Sequence, residues 1–238
     1  MISYGKTLYP KAYIFPKHLD QKQFNKMTKS AVRGALIVLE GCDRSGKTTQ
    51  CTKLVEALNS MKIPAKKISF PDRSTPIGSL INDYLSRKIE LPDRSVHLLF
   101  TANRWELEPE IRKQIESGVT LIVDRYSYSG VVFTSAKQCV DFNWCCGPEN
   151  GLPKPDLVLF LKLSTGEMVK RSGFGDERYE NIEFQHKVDK NYDKFSNDNF
   201  IQVNAAQDIS SLTDTLLKQV VKTIDTVKNQ KLDNLVLQ

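Results

Sequence analysis

Residues 35–49, with the sequence ALIVLEGCDRSGKTT, constrain the fold of this chain more than any other stretch. An apolar run over 35–39 predicts a buried strand, which leads into Gly41, four variable residues, Gly46, Lys47 and Thr48. This is the Gly-x-x-x-x-Gly-Lys-Ser/Thr pattern of a phosphate-binding loop. The glycines let backbone N–H groups turn towards phosphate oxygens, Lys47 adds a positive charge, and the Thr48 hydroxyl can bind Mg²⁺. The alternative interpretation is a simple glycine turn between two core elements.

Strand and helix patterns alternate after this loop. Short apolar runs predict strands at 66–70, 119–123, 157–161 and 200–203. Apolar residues at helical spacing predict helices at 47–60, 75–87, 95–117, 129–136, 166–171, 181–194 and 209–227, and residues 138–155 are expected to form a loop. Together with the strand at 35–39, this order predicts an α/β fold with a five-stranded parallel sheet covered by helices on both faces. Such sheets bind ligands beyond the carboxyl ends of their strands.

Composition and charge exclude some classes of protein. The chain has 238 residues, of which 40% are hydrophobic and 26% charged, as in ordinary globular proteins. Its net charge of +6 arises within residues 1–33, where seven basic residues face one acidic residue, and the remainder is balanced. A nucleic-acid-binding surface is therefore not expected. Because no apolar run approaches the ~20 residues of a membrane span, no membrane association is expected either.

Residues 1–30 lack a helical or strand period and are rich in lysine and tyrosine. We expect a basic, disordered N-terminal extension at 1–30, followed by one domain at 31–238. Two other interpretations of the extension stay open: a targeting peptide, although arginine is absent and serine rare, or residues upstream of an ordinary start at Met27. The five cysteines include no Cys-x-x-Cys pair, which favours free thiols in a reducing compartment. We expect cytoplasmic localisation, with a nuclear or mitochondrial one left open.

Charged side chains follow the predicted strands. Asp124 ends one apolar run, where a carboxylate can hold Mg²⁺ or its water shell, although it could instead cap the next helix. Guanidinium groups bind phosphate oxygens with two N–H groups at once. Four arginines fall in or beside the loops at this edge of the sheet: Arg44, Arg73, Arg104 and Arg125. Any one alone is more often part of a surface ion pair, but four together favour a site with two phosphate groups.

Two further stretches are candidates for the same site. Phe100 and Arg104 share a helix face, so a ring could stack on a base while a guanidinium reaches the base edge or a phosphate. The neighbouring Trp105 is expected in the core. Residues 172–180, SGFGDERYE, contain two glycines and follow Arg171, and they predict a mobile lid at about 171–180 over a phosphate site. An ordinary charged surface loop is the alternative.

Six segments occur in an order and spacing that closely resembles the thymidylate kinases of eukaryotes and poxviruses. They are GALIVLEGCDRSGKTTQ, FPDRSTPIG, SVHLLFTANRWE, GVTLIVDRYSYSGV, GLPKPDLVLFL and GFGDERYEN. The resemblance runs from about residue 33 to residue 203 and continues more weakly to the end, with no counterpart of residues 1–30. It implies the fold of P-loop nucleoside monophosphate kinases with a short lid. It also implies transfer of the γ-phosphate of ATP to dTMP, giving dTDP and ADP for dTTP synthesis, with Mg²⁺ and in a homodimer.

The resemblance further implies roles for individual residues. The catalytic residues are expected to be Arg44, Lys47, Asp124 and Arg125, with Thr48 and Asp124 holding Mg²⁺. ATP is expected to contact Gly41, Asp43, Arg44, Ser45, Gly46, Lys47, Thr48, Thr49, Arg171, Ala205 and Ala206. The residues expected to contact dTMP are Asp43, Phe70, Arg73, Phe100, Arg104, Arg125, Ser129, Gly130, Tyr179 and Gln185. In this set Phe100 would stack on thymine, Arg104 would reach a thymine carbonyl, and Tyr179 would crowd the sugar 2′ position.

Two other kinds of function stay open as alternatives. A deoxynucleoside kinase, or another nucleoside monophosphate kinase, would share the phosphate-binding loop. The nucleoside kinase needs a carboxylate base after the second strand, where Asp72 lies beside Arg73. A GTP-binding switch would need an Asn-Lys-x-Asp motif, which the sequence lacks, and an Asp-x-x-Gly motif where DRYS stands.

Overall fold

The structure is a computed structural model and describes residues 32–169, 177–195 and 199–238. Its centre is a five-stranded, all-parallel sheet in the order β2-β3-β1-β4-β5. The strands are β1 (Leu36–Glu40), β2 (Ala65–Ser69), β3 (Thr120–Asp124), β4 (Leu157–Lys162) and β5 (Phe200–Asn204). The predicted α/β fold is confirmed, and the strand boundaries lie close to the predicted ones.

The two central strands explain why the apolar runs are continuous. Every residue of β1 and β3 is buried, because helices cover both faces of the sheet. In the parallel register Leu36 of β1 lies opposite Leu121 of β3, and Ile37 of β1 lies opposite Leu157 of β4. A strand buried on both faces has no polar face, so its sequence shows no alternation of polar and apolar residues.

Helices connect and cover the strands. They are α1 (Lys47–Ser60), α2 (Pro76–Leu85), α3 (Asp93–Trp105), α4 (Glu108–Glu116), α5 (Ser127–Ser135), α6 (Phe142–Cys146), α7 (Thr165–Val169), α8 (Ile182–Tyr192) and α9 (Ile209–Val227). Side chains of Thr75, Asn181 and Asp208 accept a backbone N–H at the starts of α2, α8 and α9. These caps fix where each helix begins, since the first N–H groups of a helix have no partner within it.

The single long helix predicted over residues 95–117 is wrong. The structure has two helices there, α3 and α4, separated by Glu106 and Leu107. Pro109 explains the break, because its ring removes a backbone N–H donor and clashes with the carbonyl four residues earlier. The proline lies in the first turn of α4, where an N–H has no helical partner to lose.

The loop predicted over residues 138–155 is also partly wrong. It contains α6 and a 3₁₀ turn at Gly147–Glu149. The carboxylate of Asp141 accepts the backbone N–H of Trp144 at 3.0 Å and so begins α6. The turn after it places the side chain of Glu149 in a fully buried position.

The chain after α9 packs back onto the domain. Residues 231–238, called the C-terminal strap below, run beside residues 150–154, and Asn234 pairs with Pro153 in an antiparallel bridge. The side chains of Leu235 and Leu237 are buried in the main core. The strap therefore adds apolar contacts next to the loop that follows Glu149.

Some predictions concern residues outside the described ranges. The N-terminal extension at 1–30 lies outside them, as do Arg171 and the first part of the predicted lid, of which the structure describes residues 177–180. Among the described helices, none has the length and apolar character that crossing a membrane requires.

Candidate active site

The loop between β1 and α1 has the backbone that its glycines predict. Gly46, the residue before α1, has a φ of 98°, in the left-handed region that glycine adopts without strain. At Gly41 a Cβ would lie 2.7 Å from the carbonyl oxygen of Leu161, and φ is 145°. No side chain caps the start of α1, so its first N–H groups face the loop. This is the arrangement of an anion site at a helix N-terminus.

Lys47 lies inside this loop. Its Nζ donates to the carbonyl oxygens of Gly41 at 3.1 Å and Cys42 at 2.7 Å, and to Oγ of Ser45 at 3.2 Å. Burial, together with the nearby charge of Arg125, lowers the pKa of Lys47 to about 8. The ammonium group is thus held by neutral oxygens in a position where a phosphate could replace them.

The hydroxyl of Thr48 donates to a carboxylate oxygen of Asp124 at 2.5 Å, and this contact links the loop to the end of β3. A hydroxyl and a carboxylate are the hard oxygen ligands that Mg²⁺ prefers. Among the described residues, no group of three or more His, Cys, Asp or Glu side chains could hold a metal ion. The pair therefore fits an ion that takes its other ligands from water and substrate phosphates, the usual mode for Mg²⁺.

A cavity of about 1160 Å³ opens at the carboxyl edge of the sheet. Its wall contains most of the predicted site residues, contributed by the phosphate-binding loop, the loop after β2, α3, the end of β3, α5 and residues 177–180. They are Asp43, Arg44, Gly46, Lys47, Thr48, Thr49, Phe70, Arg73, Phe100, Arg104, Asp124, Arg125, Ser129, Gly130 and Tyr179. The fold thus brings positions far apart in the sequence to one cavity.

Three arginines pair with carboxylates that also line the cavity. Arg73 Nη2 lies 2.7 Å from Glu177, and Arg44 Nε lies 2.8 Å from Glu180. Arg125 pairs with Asp43. The carboxylates of Glu177 and Glu180 come from the end of the predicted lid, so this segment contacts the arginines directly.

Two of these arginines have an unusual backbone. Arg44 has a φ of 62° and Arg125 a φ of 68°, in the left-handed region that residues with a Cβ seldom adopt. Arg125 is held there by its backbone N–H, which donates to the carbonyl oxygen of Leu39 at 3.0 Å, and by Nη1, which donates to Gly41 and to Ser129, each at 3.1 Å. Strained residues that the surrounding structure holds in place are typical of functional sites.

Phe100 and Arg104 lie one helical turn apart on α3, as predicted, and both line the cavity. The side chain of Arg104 is only 2% exposed, and its Nε and Nη2 donate to Glu149, with Nε at 2.8 Å from Oε2. Trp105, expected in the core, is instead 38% exposed, and its indole N–H donates to the carbonyl oxygen of Pro148 at 2.9 Å.

Tyr179 forms another part of the cavity wall. Its hydroxyl donates to that of Tyr84 at 3.2 Å, and its ring stacks on Phe184 with the centroids 5.2 Å apart. The edge of Phe133 completes the cluster at 5.7 Å. Burial raises the pKa of Tyr179 well above its ordinary value, so the phenol is neutral.

Gln185 lies behind Asp43 rather than in the cavity wall. Its amide nitrogen donates to a carboxylate oxygen of Asp43 at 2.6 Å, and its amide oxygen accepts the backbone N–H of Asp43 at 2.9 Å. The same nitrogen donates to the carbonyl oxygen of Tyr179 at 2.9 Å. One buried side chain therefore joins the phosphate-binding loop to the end of the predicted lid.

The remaining predicted residues that the structure describes lie at the edges of the site. Gly41 and Ser45 are buried residues of the phosphate-binding loop, and both contact Lys47. Ala205 and Ala206 follow β5 at the same edge of the sheet; Ala205 is buried and Ala206 is exposed.

Comparison with known proteins agrees with this geometry. The sequence model of the thymidylate kinase family matches residues 39–216. The chain belongs to the thymidylate kinase family. A thymidylate kinase of Homo sapiens is 50% identical over 77% of this chain and 88% of its own length, and one of Danio rerio is 49% identical over the same shares. The solved structure of thymidylate kinase from Candida albicans, at 41% identity, covers 87% of this chain and 97% of its own with a TM-score of 0.71.

Sequence reasoning missed Glu40, the last residue of β1. This side chain is fully buried, and its oxygens accept the backbone N–H groups of Tyr126 at 2.9 Å and Ser129 at 3.1 Å, as well as the hydroxyls of Ser129 and Tyr192. Burial raises the pKa of Glu40. An acid at the end of an apolar strand was a visible signal, the same one that identified Asp124.

Glu149 was also missed, and no local pattern could have identified it. It lies in a loop with mixed composition, and its partners Thr101 and Arg104 are more than forty residues away in the sequence. Only the packing of α3 against the 3₁₀ turn shows that Arg104 has a buried counterion. Glu177 and Glu180 fell within the predicted lid, but their pairing with arginines was not predicted.

Proposed function

We propose that this protein transfers the γ-phosphate of ATP to dTMP and releases dTDP and ADP. The observation that carries this proposal is that a phosphate-binding loop, several arginines and an aromatic ring line one cavity. Its volume of about 1160 Å³ exceeds the ~300–1,000 Å³ of an ordinary single-ligand pocket, which suits two substrates. Relatives named thymidylate kinase at about half identity support the same substrates.

In this proposal ATP lies with its phosphates in the loop from Gly41 to Thr49. The first N–H groups of α1 donate to the phosphates, and Lys47 exchanges its loop carbonyl partners for phosphate oxygens. Ala205 and Ala206 lie beside the adenine, and Arg171, which is outside the described residues, is proposed to contact the phosphates of ATP. Because Lys47 is buried, its charge interacts strongly with a phosphate that takes the place of those carbonyls.

Thr48 and Asp124 are the residues that would hold Mg²⁺. Their oxygen atoms are adjacent and belong to the ligand types that this ion takes. When bound, the ion neutralises charge on the β- and γ-phosphates. The Thr48–Asp124 hydrogen bond also ties the loop to the sheet before any substrate binds.

dTMP occupies the other side of the cavity. Arg73 and Arg125 bind its phosphate, which takes the place of the carboxylates that they contact in this structure.

The base and the sugar have their own contacts. Phe100 stacks on the thymine and Arg104 reaches a thymine carbonyl, while three further residues surround the base: Phe70, Ser129 and Gly130. Tyr179 lies at the sugar 2′ position, where its ring would clash with a ribose hydroxyl, and Asp43 accepts a bond from the 3′ hydroxyl. Gln185 fixes Asp43 from behind.

The transfer needs no general base, because the acceptor is a phosphate oxygen that is already ionised near neutral pH. The residues then contribute position and charge stabilisation. Arg44, which lies inside the phosphate-binding loop, stabilises the charge on the phosphoryl group as it moves. Removing such a donor typically lowers turnover about 10²–10³-fold.

A coupled assay of ADP release tests the proposal. The wild-type protein is given ATP with dTMP, dUMP, dCMP, dGMP or thymidine, and we expect the highest kcat/KM for dTMP. A preference for thymidine would indicate a nucleoside kinase, and preference for another monophosphate would indicate a different monophosphate kinase. Tighter binding of GTP than of ATP, with no phosphoryl transfer, would indicate a GTP-binding switch.

The Arg44→Ala variant tests the role of that arginine in the same assay. We expect kcat to fall far more than the affinity for ATP, since the contact strengthens in the transition state. Lys53→Ala is the matched control, because Lys53 is an exposed cation on α1 that pairs with Glu56. A normal kcat with a raised KM for ATP would show that Arg44 serves binding alone.

We also propose that the protein is a homodimer. Leu80 on α2 and Leu98 and Trp105 on α3 are exposed apolar side chains on neighbouring helices. Exposed apolar patches on a folded protein favour association. Light scattering coupled to size exclusion measures the mass, and a Leu98→Lys variant should shift it towards the monomer.

The proposed compartment is the cytoplasm. All five cysteines are free thiols and four of them are buried, which suits a reducing environment. Fluorescence microscopy of tagged chains with and without residues 1–26 tests this and the role of the extension. Mitochondrial or nuclear signal that depends on residues 1–26 would identify them as a targeting segment.

A further inference from the structure

The guanidinium of Arg104 is fixed from the side opposite the cavity. Glu149 is fully buried and accepts two N–H bonds from Arg104, while Thr101 donates its hydroxyl to the same carboxylate at 2.6 Å. Arg104 lines the cavity, and Glu149 lies behind it. A buried arginine that loses such a partner is left with an uncompensated charge. The position of Glu149 therefore determines the position of Arg104.

Glu149 is not on a strand or a long helix. It ends a three-residue 3₁₀ turn, and residues 150–156 lead from it to β4 as irregular chain. Short irregular segments hold a side chain accurately only when other parts of the fold fix them. Residues outside this segment must therefore fix Glu149 in place.

The C-terminal strap makes five of the hydrogen bonds to that segment, all of them to residues 150–154. Gly151 N–H donates to the carbonyl oxygen of Leu235 at 2.9 Å, and Leu235 N–H donates back to Leu152 at 2.7 Å. Lys154 N–H donates to Asp233 at 2.9 Å. The strap also reaches the residue next to Glu149, since the backbone N–H of Leu237 donates to the side-chain oxygen of Asn150 at 2.7 Å.

Two features anchor the strap itself. Leu235 is 2% and Leu237 7% exposed, so both side chains are core residues. Arg112 of α4 donates from Nη2 to the carbonyl oxygen of Gly151 at 3.1 Å and to the side chain of Asn234 at 2.8 Å. Arg112 therefore clamps the strap and the loop together.

We propose that the C-terminal strap positions Arg104 through Glu149, and that it thereby determines how tightly the site binds the base of its nucleotide acceptor. The inference rests on the proposed function for the identity of that acceptor. The strap touches neither substrate, so its residues are positioning residues. A loop without the strap can shift Glu149, and Arg104 then moves away from the base edge.

This role predicts a selective kinetic effect. Weakening the strap raises the KM for dTMP about tenfold, as expected when one charge-assisted hydrogen bond is lost from binding. The KM for ATP and kcat change by less than about twofold, because the phosphate-binding loop is attached to β1 and α1 instead. A general loss of stability would change all three quantities together.

The chain offers a matched pair of variants for the test. Leu235→Ala removes a buried anchor, and Val236→Ala changes the neighbouring residue, which is 66% exposed. A third protein ends at residue 230 and lacks the strap, and Glu149→Gln reports the effect of the carboxylate itself. Kinetics with ATP and dTMP are measured for each, together with thermal unfolding.

A second measurement follows Arg104 directly and does not depend on activity. The Nε–H of Arg104 is buried and hydrogen-bonded, so its exchange with solvent deuterons, followed by NMR, is slow in the wild-type protein. Arg104→Lys identifies the resonance by removing it. We expect faster exchange in Leu235→Ala and in the shortened protein, and wild-type exchange in Val236→Ala.

The outcomes separate this inference from the proposed function. A raised KM for dTMP alone, with faster Arg104 exchange, supports the strap. Wild-type exchange and wild-type KM for dTMP in folded Leu235→Ala overturn it, as does a KM for ATP that rises equally. If the wild-type protein does not phosphorylate dTMP, the proposed function fails, and the exchange of Arg104 alone decides whether the strap positions it.

Discussion

Replacing Gly130 with alanine tests how firmly Arg104 is held. Gly130 lies in α5, and a Cβ built on it would lie 2.5 Å from Nη2 of Arg104 and 3.3 Å from Oε1 of Glu149. The first distance is too short for a carbon and a nitrogen that are not bonded. The guanidinium is bonded to Glu149, which Thr101 holds in turn, so Arg104 must lose part of its pairing with Glu149 if it moves.

The magnitude follows from the bond that is lost. A hydrogen bond between charged groups contributes about 1.5–3 kcal/mol to stability. Gly→Ala in a helix offsets this by about 0.4–1 kcal/mol, since alanine has fewer unfolded conformations. Gly147→Ala is the control, because a Cβ there would meet no atom within 4 Å beyond its own stretch of chain, and its φ is −51°. The free energies of unfolding of the two variants should therefore differ by about 1.5–3 kcal/mol, which is the cost of the clash and corresponds to roughly 3–12 °C in Tm.

Urea unfolding and steady-state kinetics measure both consequences. We expect Gly130→Ala to be less stable than Gly147→Ala and to have a KM for dTMP raised about tenfold, with kcat nearly unchanged. Equal stability of the two variants, with a wild-type KM for dTMP, would refute the conclusion that Arg104 is fixed. It would mean that the guanidinium can adopt another position without cost.

Three further predictions concern other parts of the molecule. Burial lowers the pKa of Lys47 to about 8, so part of the free protein lacks this proton at pH 8.5. ATP binding should therefore take up more protons at pH 8.5 than at pH 7. Calorimetry in buffers of different ionisation enthalpy measures this, and equal uptake at the two pH values would contradict it. Tyr179→Ala should reduce the preference for dTMP over its ribose counterpart, measured as the ratio of kcat/KM values, and an unchanged ratio would exclude Tyr179 from sugar selection. Asp156→Asn should lower the free energy of unfolding in urea by about 3–5 kcal/mol, since Asp156 forms a nearly buried pair of two hydrogen bonds with Arg33. The exposed control Lys53→Ala should lower it by less than about 0.5 kcal/mol. Similar losses in the two variants would show that burial of the ion pair does not matter.

Much of the fold could be predicted because its signals are local. The strands at the centre of the sheet are short apolar runs, and their burial on both faces requires no partner to be known in advance. The break between α3 and α4 was missed although its cause, Pro109, is equally local. The short helix α6 was also missed although its signal is local, because Asp141 is an ordinary residue to begin a helix. These errors reflect signals that were present but outweighed by helical spacing and loop composition.

Only part of the candidate site could be predicted from local patterns in the sequence. Lys47 and Asp124 belong to patterns with a chemical meaning of their own, and the structure brings both to one cavity. The partners of the arginines could not be predicted, because a salt bridge between residues 73 and 177 or 104 and 149 depends on the folded geometry alone. The roles of individual residues toward ATP and dTMP stay predictions until the assays above are done.

The three arginine–carboxylate pairs in which both partners line the cavity have a kinetic consequence. A site with bare arginines projects a positive field into the solvent and attracts anions at rates that fall steeply as salt is added. In this protein each of those guanidinium charges is balanced at hydrogen-bond distance, so little of the field extends beyond a Debye length of about 8 Å. We therefore expect nucleotide association to depend weakly on ionic strength and to be limited by the exchange of carboxylate for phosphate. The same carboxylates return to the arginines when the product leaves, so no guanidinium is left without a counterion.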